Sequence, residues 1–195
     1  MNDVDREETP AEMAVVLDYL PHGRADDDRP GYQKSPIAYA MTSDDFGLYE
    51  IITDSDFSAK IGDPVPLDSS ESGIVSVERT KYPDLSSGAK SEVDYVIEDI
   101  VDANEERFVQ FFNEAQPITL RLHQLNLLPG IGKKLRNAIL DQRKRAPFDS
   151  FDDMDERVSG LHDPRQVLIE RIREEIREDE LKYRLFTRRA KNQRD

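Results

Sequence analysis

Leu127-Leu128-Pro129-Gly130-Ile131-Gly132-Lys133-Lys134 is the stretch on which the reading of this chain turns. Two glycines within three residues, directly after a proline, place a tight turn here. Glycine enters left-handed backbone without steric cost and lets another molecule approach the main chain closely. An apolar stretch precedes the turn, and Lys133-Lys134-Leu135-Arg136 follows it at the start of a polar, helix-favouring run. The expected local structure is one helix from Thr119 to Leu128, the turn, and a second helix from Lys133 to Lys144. Ile131, the apolar residue between the glycines, is expected to plug the gap between the helices. The second helix would then present free N–H groups and the positive end of its dipole, which suits an anion.

This pattern resembles the helix-hairpin-helix motif, which grips a sugar-phosphate backbone. The candidate contacts are Pro129, Gly130, Ile131 and Gly132 in the turn, Lys133, Lys134 and Arg136 on the second helix, and Arg121 upstream. Contacts of this kind read phosphates rather than base edges, so no sequence specificity is expected and RNA is not told from DNA. Competing glycine motifs fail on spacing. A dinucleotide fingerprint needs glycine where Leu135 stands, and a phosphate loop needs glycine at Leu127 and a hydroxyl at Lys134. The alternative reading is a helix-turn-helix corner whose glycines serve packing only.

Downstream, Val158-Ser159-Gly160-Leu161-His162 looks like a second, degenerate copy, with His162 in place of the second glycine and Asp163 after it. A carboxylate there opposes phosphate, so this copy is read as a packing partner. Phe151 to Val158 is a short third helix, and Asp163 caps a fourth that begins at Pro164 and carries Leu168, Ile172 and Ile176 on one stripe. Residues 116–180 thus form an all-α helix-hairpin-helix domain. From Leu181 to Arg194 there are six basic residues and no acidic one, a basic tail over 181–195.

Upstream the period changes. Met13 to Leu20, Ile37 to Met41, Phe46 to Thr53, Val65 to Leu67 and Ile74 to Thr80 are five short runs bounded by Gly, Pro, Asp or Ser, and each reads as a strand. Five strands without intervening helices suggest a small closed sheet of the OB type. From Ser91, Val93, Val96, Ile97, Ile100 and Val101 share a helical face, and a second helix restarting near Asn104 carries Phe108, Phe111 and Phe112. These helices are expected to cover the sheet, and the phenylalanines to be core rather than a base-stacking platform. Pro117 marks the boundary. The expected fold class is therefore α+β: a polar, disordered tail over 1–11, an OB-like five-stranded β-barrel with covering helices over 12–115, then the helical domain.

Charge is divided along the same line. Residues 1–115 hold 27 Asp and Glu against 9 Lys and Arg, a net of −18, whereas residues 116–195 hold 14 against 18, a net of +4. Only the second half has the balance of a phosphate binder. Asp (24) exceeds Glu (17) and Arg (18) is twice Lys (9), a bias that fits adaptation to molar internal salt; an ordinary acidic protein is the alternative. No cysteine is present, which excludes thiolate catalysis, disulfides and Cys-type metal sites. No window approaches a membrane span or a signal peptide, so a cytoplasmic location away from membranes is expected. Asp26-Asp27-Asp28 reads as a solvated loop, and His22, His123 and His162 are scattered, His123 as a capping or packing residue before a phosphate contact. No nucleophile with a nearby base is visible, so neither an enzyme nor a cofactor is expected.

Tyr19-Leu20-Pro21-His22-Gly23, Asn104 to Asn113, Arg121-Leu122-His123-Gln124-Leu125, Leu127 to Lys134 and Lys182-Tyr183-Arg184-Leu185-Phe186-Thr187 together resemble the archaeal domain-of-unknown-function family 655 over about residues 13–187. That resemblance implies an OB-like barrel joined to a helix-hairpin-helix region in an RNA- or nucleotide-binding protein. Two stretches depart from the pattern. Arg136 replaces the small residue that a general helix-hairpin-helix keeps four positions after its second glycine, and Asp63 to Glu71 is acidic where the family is typically basic. The expected function is non-catalytic binding to an RNA or DNA backbone, RNA before DNA, with a ribosome- or RNA-processing-associated protein as a possible partner. The alternatives are a protein-docking scaffold and a non-catalytic subunit of an RNA-processing or nuclease complex.

Overall fold

The computed structural model describes residues 12–71 and 73–189, so the expected tail over 1–11 and the end of the basic tail lie outside the described residues. Strands come first and helices second: β1 (Met13–Leu20), β2 (Ile37–Thr42), β3 (Leu48–Thr53), β4 (Pro64–Pro66) and β5 (Ile74–Thr80), then α1 (Ser87–Ala103), α2 (Glu105–Glu114), α3 (Lys133–Arg145), α4 (Phe151–Arg157) and α5 (Pro164–Arg177). The fold is mixed α+β. No helix of the described residues is long and apolar enough to cross a membrane.

The strands make one curled antiparallel half-barrel in the order β4-β1-β2-β3-β5. Small residues line its inside: Ala14, Val16, Ala38, Ala40, Ile51, Val65 and Ile74 form the buried cluster. A bulge at Leu17, where the register against β2 slips by one residue, sharpens the curl of β1. Among the described residues β4 and β5 are the two edges of the sheet, which is thus a half-barrel rather than the expected closed sheet. Prolines explain the open side of β4. Leu67 N–H donates to Glu12 O and Asp63 O accepts from Val16 N–H, so the odd-numbered residues of this stretch turn their polar groups toward β1. Pro64 and Pro66 therefore face the free edge, where they have no N–H to offer another strand.

Asp18 ties β1 to the start of α1. Its carboxylate accepts a 2.5 Å hydrogen bond from the Ser86 hydroxyl, which in turn caps Ala89 N–H at 3.0 Å. The backbone of Gly88 is unstrained, but a Cβ there would stand 2.5 Å from Asp18 Oδ2, so the hydrogen-bonded carboxylate would have to shift. Gly88→Ala should lower unfolding free energy by about 1–3 kcal/mol through overpacking, measured by urea denaturation. Recovery of that loss in Gly88→Ala with Asp18→Ala would assign it to this contact.

The chain divides into two compact units, residues 1–92 and 93–195. The division falls inside α1 rather than at Pro117, so the helices expected to cover the sheet group with the helical half. The reason is charge as well as apolar periodicity. Asp94, Glu98 and Asp102 lie one turn apart along α1 and pair with Arg177, Arg173 and Arg165 on α5 in antiparallel order. The apolar stripe of α1, including Val93, Ile97 and Val101, is buried. Phe108 and Phe112 of α2 are buried as their spacing requires, and Phe111 meets Phe112 and Phe186 edge-on.

Candidate functional site

The helix expected over Thr119 to Leu128 is absent. The Thr119 hydroxyl accepts from the N–H groups of Arg121 and Leu122, turning the chain back so that Pro117 pairs with His123, and only Gln124–Leu127 coils, as a single 3-10 turn. That turn is capped at both ends of its box. Leu125 N–H donates to His123 Nδ1 at 3.1 Å, and His123 N–H donates to Asn126 Oδ1 at 3.2 Å. Burial, with Arg143 and Arg136 nearby, pushes the His123 pKa below its ordinary value, so the ring is neutral at pH 7 and acts as an acceptor. His123 is a capping residue.

Asn126 also holds the turn that follows. Its Nδ2 donates to Ile131 O at 3.2 Å, and Ile131 N–H donates to Leu128 O at 3.2 Å. Ile131 is buried, as a plug should be, with Leu125, Leu128 and Ile139 also buried around this turn. Gly130 needs its glycine, with φ at +77°. Gly132 does not: it is extended at φ −85°, ψ −172°, and a Cβ there would meet no atom within 4 Å. Tight-turn geometry therefore accounts for one glycine, not both. Packing accounts for Gly132 no better.

Gly132 is the N-cap of α3 and offers no side chain to the helix. The N–H groups of Lys133, Lys134 and Leu135 consequently meet no acceptor among the described residues. Lys133 and Lys134 are exposed and form no ion pair among those residues. Arg136 stands apart from them: half-buried, it donates to Asn126 Oδ1 at 3.0 Å and so braces the turn from behind. Arg121 is exposed on the preceding loop.

The second copy has the same turn with its end closed. Gly160 takes φ +89°, Leu161 N–H donates to Val158 O at 3.1 Å, and Leu161 is buried as Ile131 is. At the start of α5, however, the Asp163 carboxylate accepts from Gln166 N–H at 3.0 Å, and Asp163 N–H donates to Asp155. One hairpin therefore leaves its helix end bare between lysines. The other supplies its own anion.

Most arginines of this half are used inside it. Arg143 donates to the last carbonyls of α2, Arg157 to those closing α3, and Arg184 to those closing α5. A planar fork of donors suits several carbonyls at once, which gives the arginine excess a structural role independent of salt.

The segment read as a basic tail is also fixed in place. Glu175, buried on the face of α5, accepts from the N–H groups of Leu185, Phe186 and Thr187 and from Arg171 Nε at 2.9 Å. Arg171, equally buried, reaches Tyr183 O and Leu127 O, the latter just before the hairpin. Sequence reading missed this pair. Its signal was an arginine and a glutamate four residues apart beside Leu168, Ile172 and Ile176, charges on an otherwise apolar face.

Comparison with known proteins covers most of the chain. A family model described as a protein of unknown function, DUF655, matches residues 10–188. An uncharacterized protein of Methanocaldococcus jannaschii is 38% identical over 178 residues, which cover 90% of this chain and 79% of that protein. The crystal structure of a protein from Archaeoglobus fulgidus, titled with the same family, is similar with a TM-score of 0.80 at 39% identity, over 91% of this chain and 99% of that one.

Proposed function

We infer, for a chain that belongs to the DUF655 family, a non-catalytic role in holding a nucleic-acid backbone at the Leu128–Lys134 turn. The observation that carries this reading is Gly132, a glycine that neither backbone angle nor packing requires, at the bare end of α3. What a missing side chain does supply there is room. A phosphate oxygen can reach the free N–H groups of α3, with Lys133 and Lys134 at its flanks. The second hairpin supports the assignment by contrast, since its own carboxylate fills the equivalent place.

In this reading the 3-10 turn and α3 act as a shortened helix-hairpin-helix. The strand order, with one unpaired seam, suits a partly open OB-like barrel. RNA is the expected ligand before DNA, in the cytoplasm, with an RNA-processing or ribosome-associated partner. Contact with phosphates alone gives no base preference.

Gly132→Val tests the carrying observation. Valine adopts the extended angles of Gly132 readily and its Cβ meets no atom within 4 Å, so circular dichroism should not change and Tm should fall only by the small cost of a poorer N-cap. Affinity for a single-stranded RNA of about 20 nucleotides, read by fluorescence anisotropy, should fall at least about tenfold, or 1.4 kcal/mol. A folded variant that binds within about twofold of the parent would remove the basis of the proposal.

A further inference from the structure

We propose that the half-barrel unit carries a second, separate site: the cleft between the β1–β2 connection and the start of α1 binds a nucleoside monophosphate. The cleft has a volume of about 690 Å³, within the range of pockets that enclose small ligands. It lies in the half of the chain whose net charge is −18, yet one of its walls is cationic.

That wall is a built feature. Gly23 takes φ +70°, and a Cβ there would stand 2.9 Å from Ser35 O and 3.1 Å from Lys34 Cβ. Only glycine allows this approach, which sets His22 and Arg24 alongside Lys34. Lys34 is half-buried and its ammonium donates to Arg24 O at 3.3 Å, while the nearby Asp27 carboxylate, which feels its charge, is already paired with Arg29. The His22 ring has no partner among the described residues. Arg24 is bound to Glu50, and its Nε is buried without a hydrogen-bond partner. Across the cleft, Ser87 N–H at the first turn of α1 meets no acceptor among the described residues.

The remaining surface decides what the ligand carries besides phosphate. Leu20, Pro83 and Leu85 give an apolar slot beside these donors, suited to a planar ring. Exposed Asp26 and Asp84 stand in the same lining. Two carboxylates there oppose a polyanion or a second phosphoryl group, which limits the ligand to a single phosphoryl group beside Lys34, His22 and Ser87 N–H. A ring with a single phosphate is the chemistry of a nucleoside monophosphate.

Isothermal titration calorimetry on the full chain tests this with AMP, UMP, ADP, adenosine and inorganic phosphate as separate ligands. A monophosphate should bind at least about tenfold more tightly than adenosine, phosphate or ADP. Lys34→Glu should weaken it at least about tenfold. Ser87→Asp should do the same, and an unchanged Tm, measured alongside, separates lost binding from unfolding. Gly132→Val should leave it within about twofold, so that this site and the hairpin stand or fall separately. Absence of binding at about 5 mM, equal affinity for inorganic phosphate, or indifference to both Lys34→Glu and Ser87→Asp would each overturn the proposal.

Discussion

Glu175→Ala is expected to lower the stability of the helical unit by about 3–5 kcal/mol, the cost of leaving one partner of a buried ion pair alone. The Glu175 side chain is 0% exposed and that of Arg171 6%, so water cannot take over the lost contacts. The loss is compounded at the main chain, where the N–H groups of Leu185, Phe186 and Thr187 would have no acceptor. Urea denaturation measures the energy. Limited proteolysis should meanwhile show faster cleavage at Lys182 and Arg184 as the segment detaches. Replacing both charges, Arg171→Met with Glu175→Leu, should cost less than Glu175→Ala, because no uncompensated charge remains. If the double variant is the weaker, Arg171 matters through Tyr183 O and Leu127 O rather than through Glu175.

Reversing Lys133 and Lys134 together to Glu is expected to reduce RNA affinity by about 100-fold, close to 2.7 kcal/mol, at about 0.1 M salt. Each phosphate contact removed should flatten the log-log salt dependence by about 0.7–0.9, so the slope should change by about 1.5. Stability should not fall, because both side chains are exposed and acidic residues favour the first turn of a helix. That sign separates the hairpin from a structural role: a variant at least as stable that has lost binding is the expected result. Unchanged affinity with both lysines reversed would move the ligand elsewhere. The same reversal at Arg188 and Arg189, beside the segment fixed by Glu175, should change affinity by less than about threefold if the turn rather than general charge holds the backbone.

Sequence alone determined the parts that rest on local chemistry. Short apolar or β-branched runs bounded by Gly, Pro, Asp or Ser marked the five strands, and Asp163-Pro164 with its apolar stripe marked α5, because backbone preference and side-chain burial agree at those positions. Ile131 as a plug and the turn at Gly130 follow from the same local rules.

Tertiary structure decided the rest. Thr119 to Leu128 has apolar residues at helical spacing, but the Thr119 hydroxyl and the His123-Asn126 box satisfy the backbone in another way, and side-chain competition of this kind carries no period. The unit boundary moved into α1 because Asp94, Glu98 and Asp102 find arginines more than 60 residues away, and pairing at that distance leaves no mark in either segment. Glu175 illustrates the general reason. A charge four residues from its partner looks like a surface pair in sequence, and only the returning chain from Tyr183 to Thr187 buries it and makes it an anchor. Which residues a sequence places on a helix face is local information. Which side chains lose their water is settled only when the rest of the chain arrives.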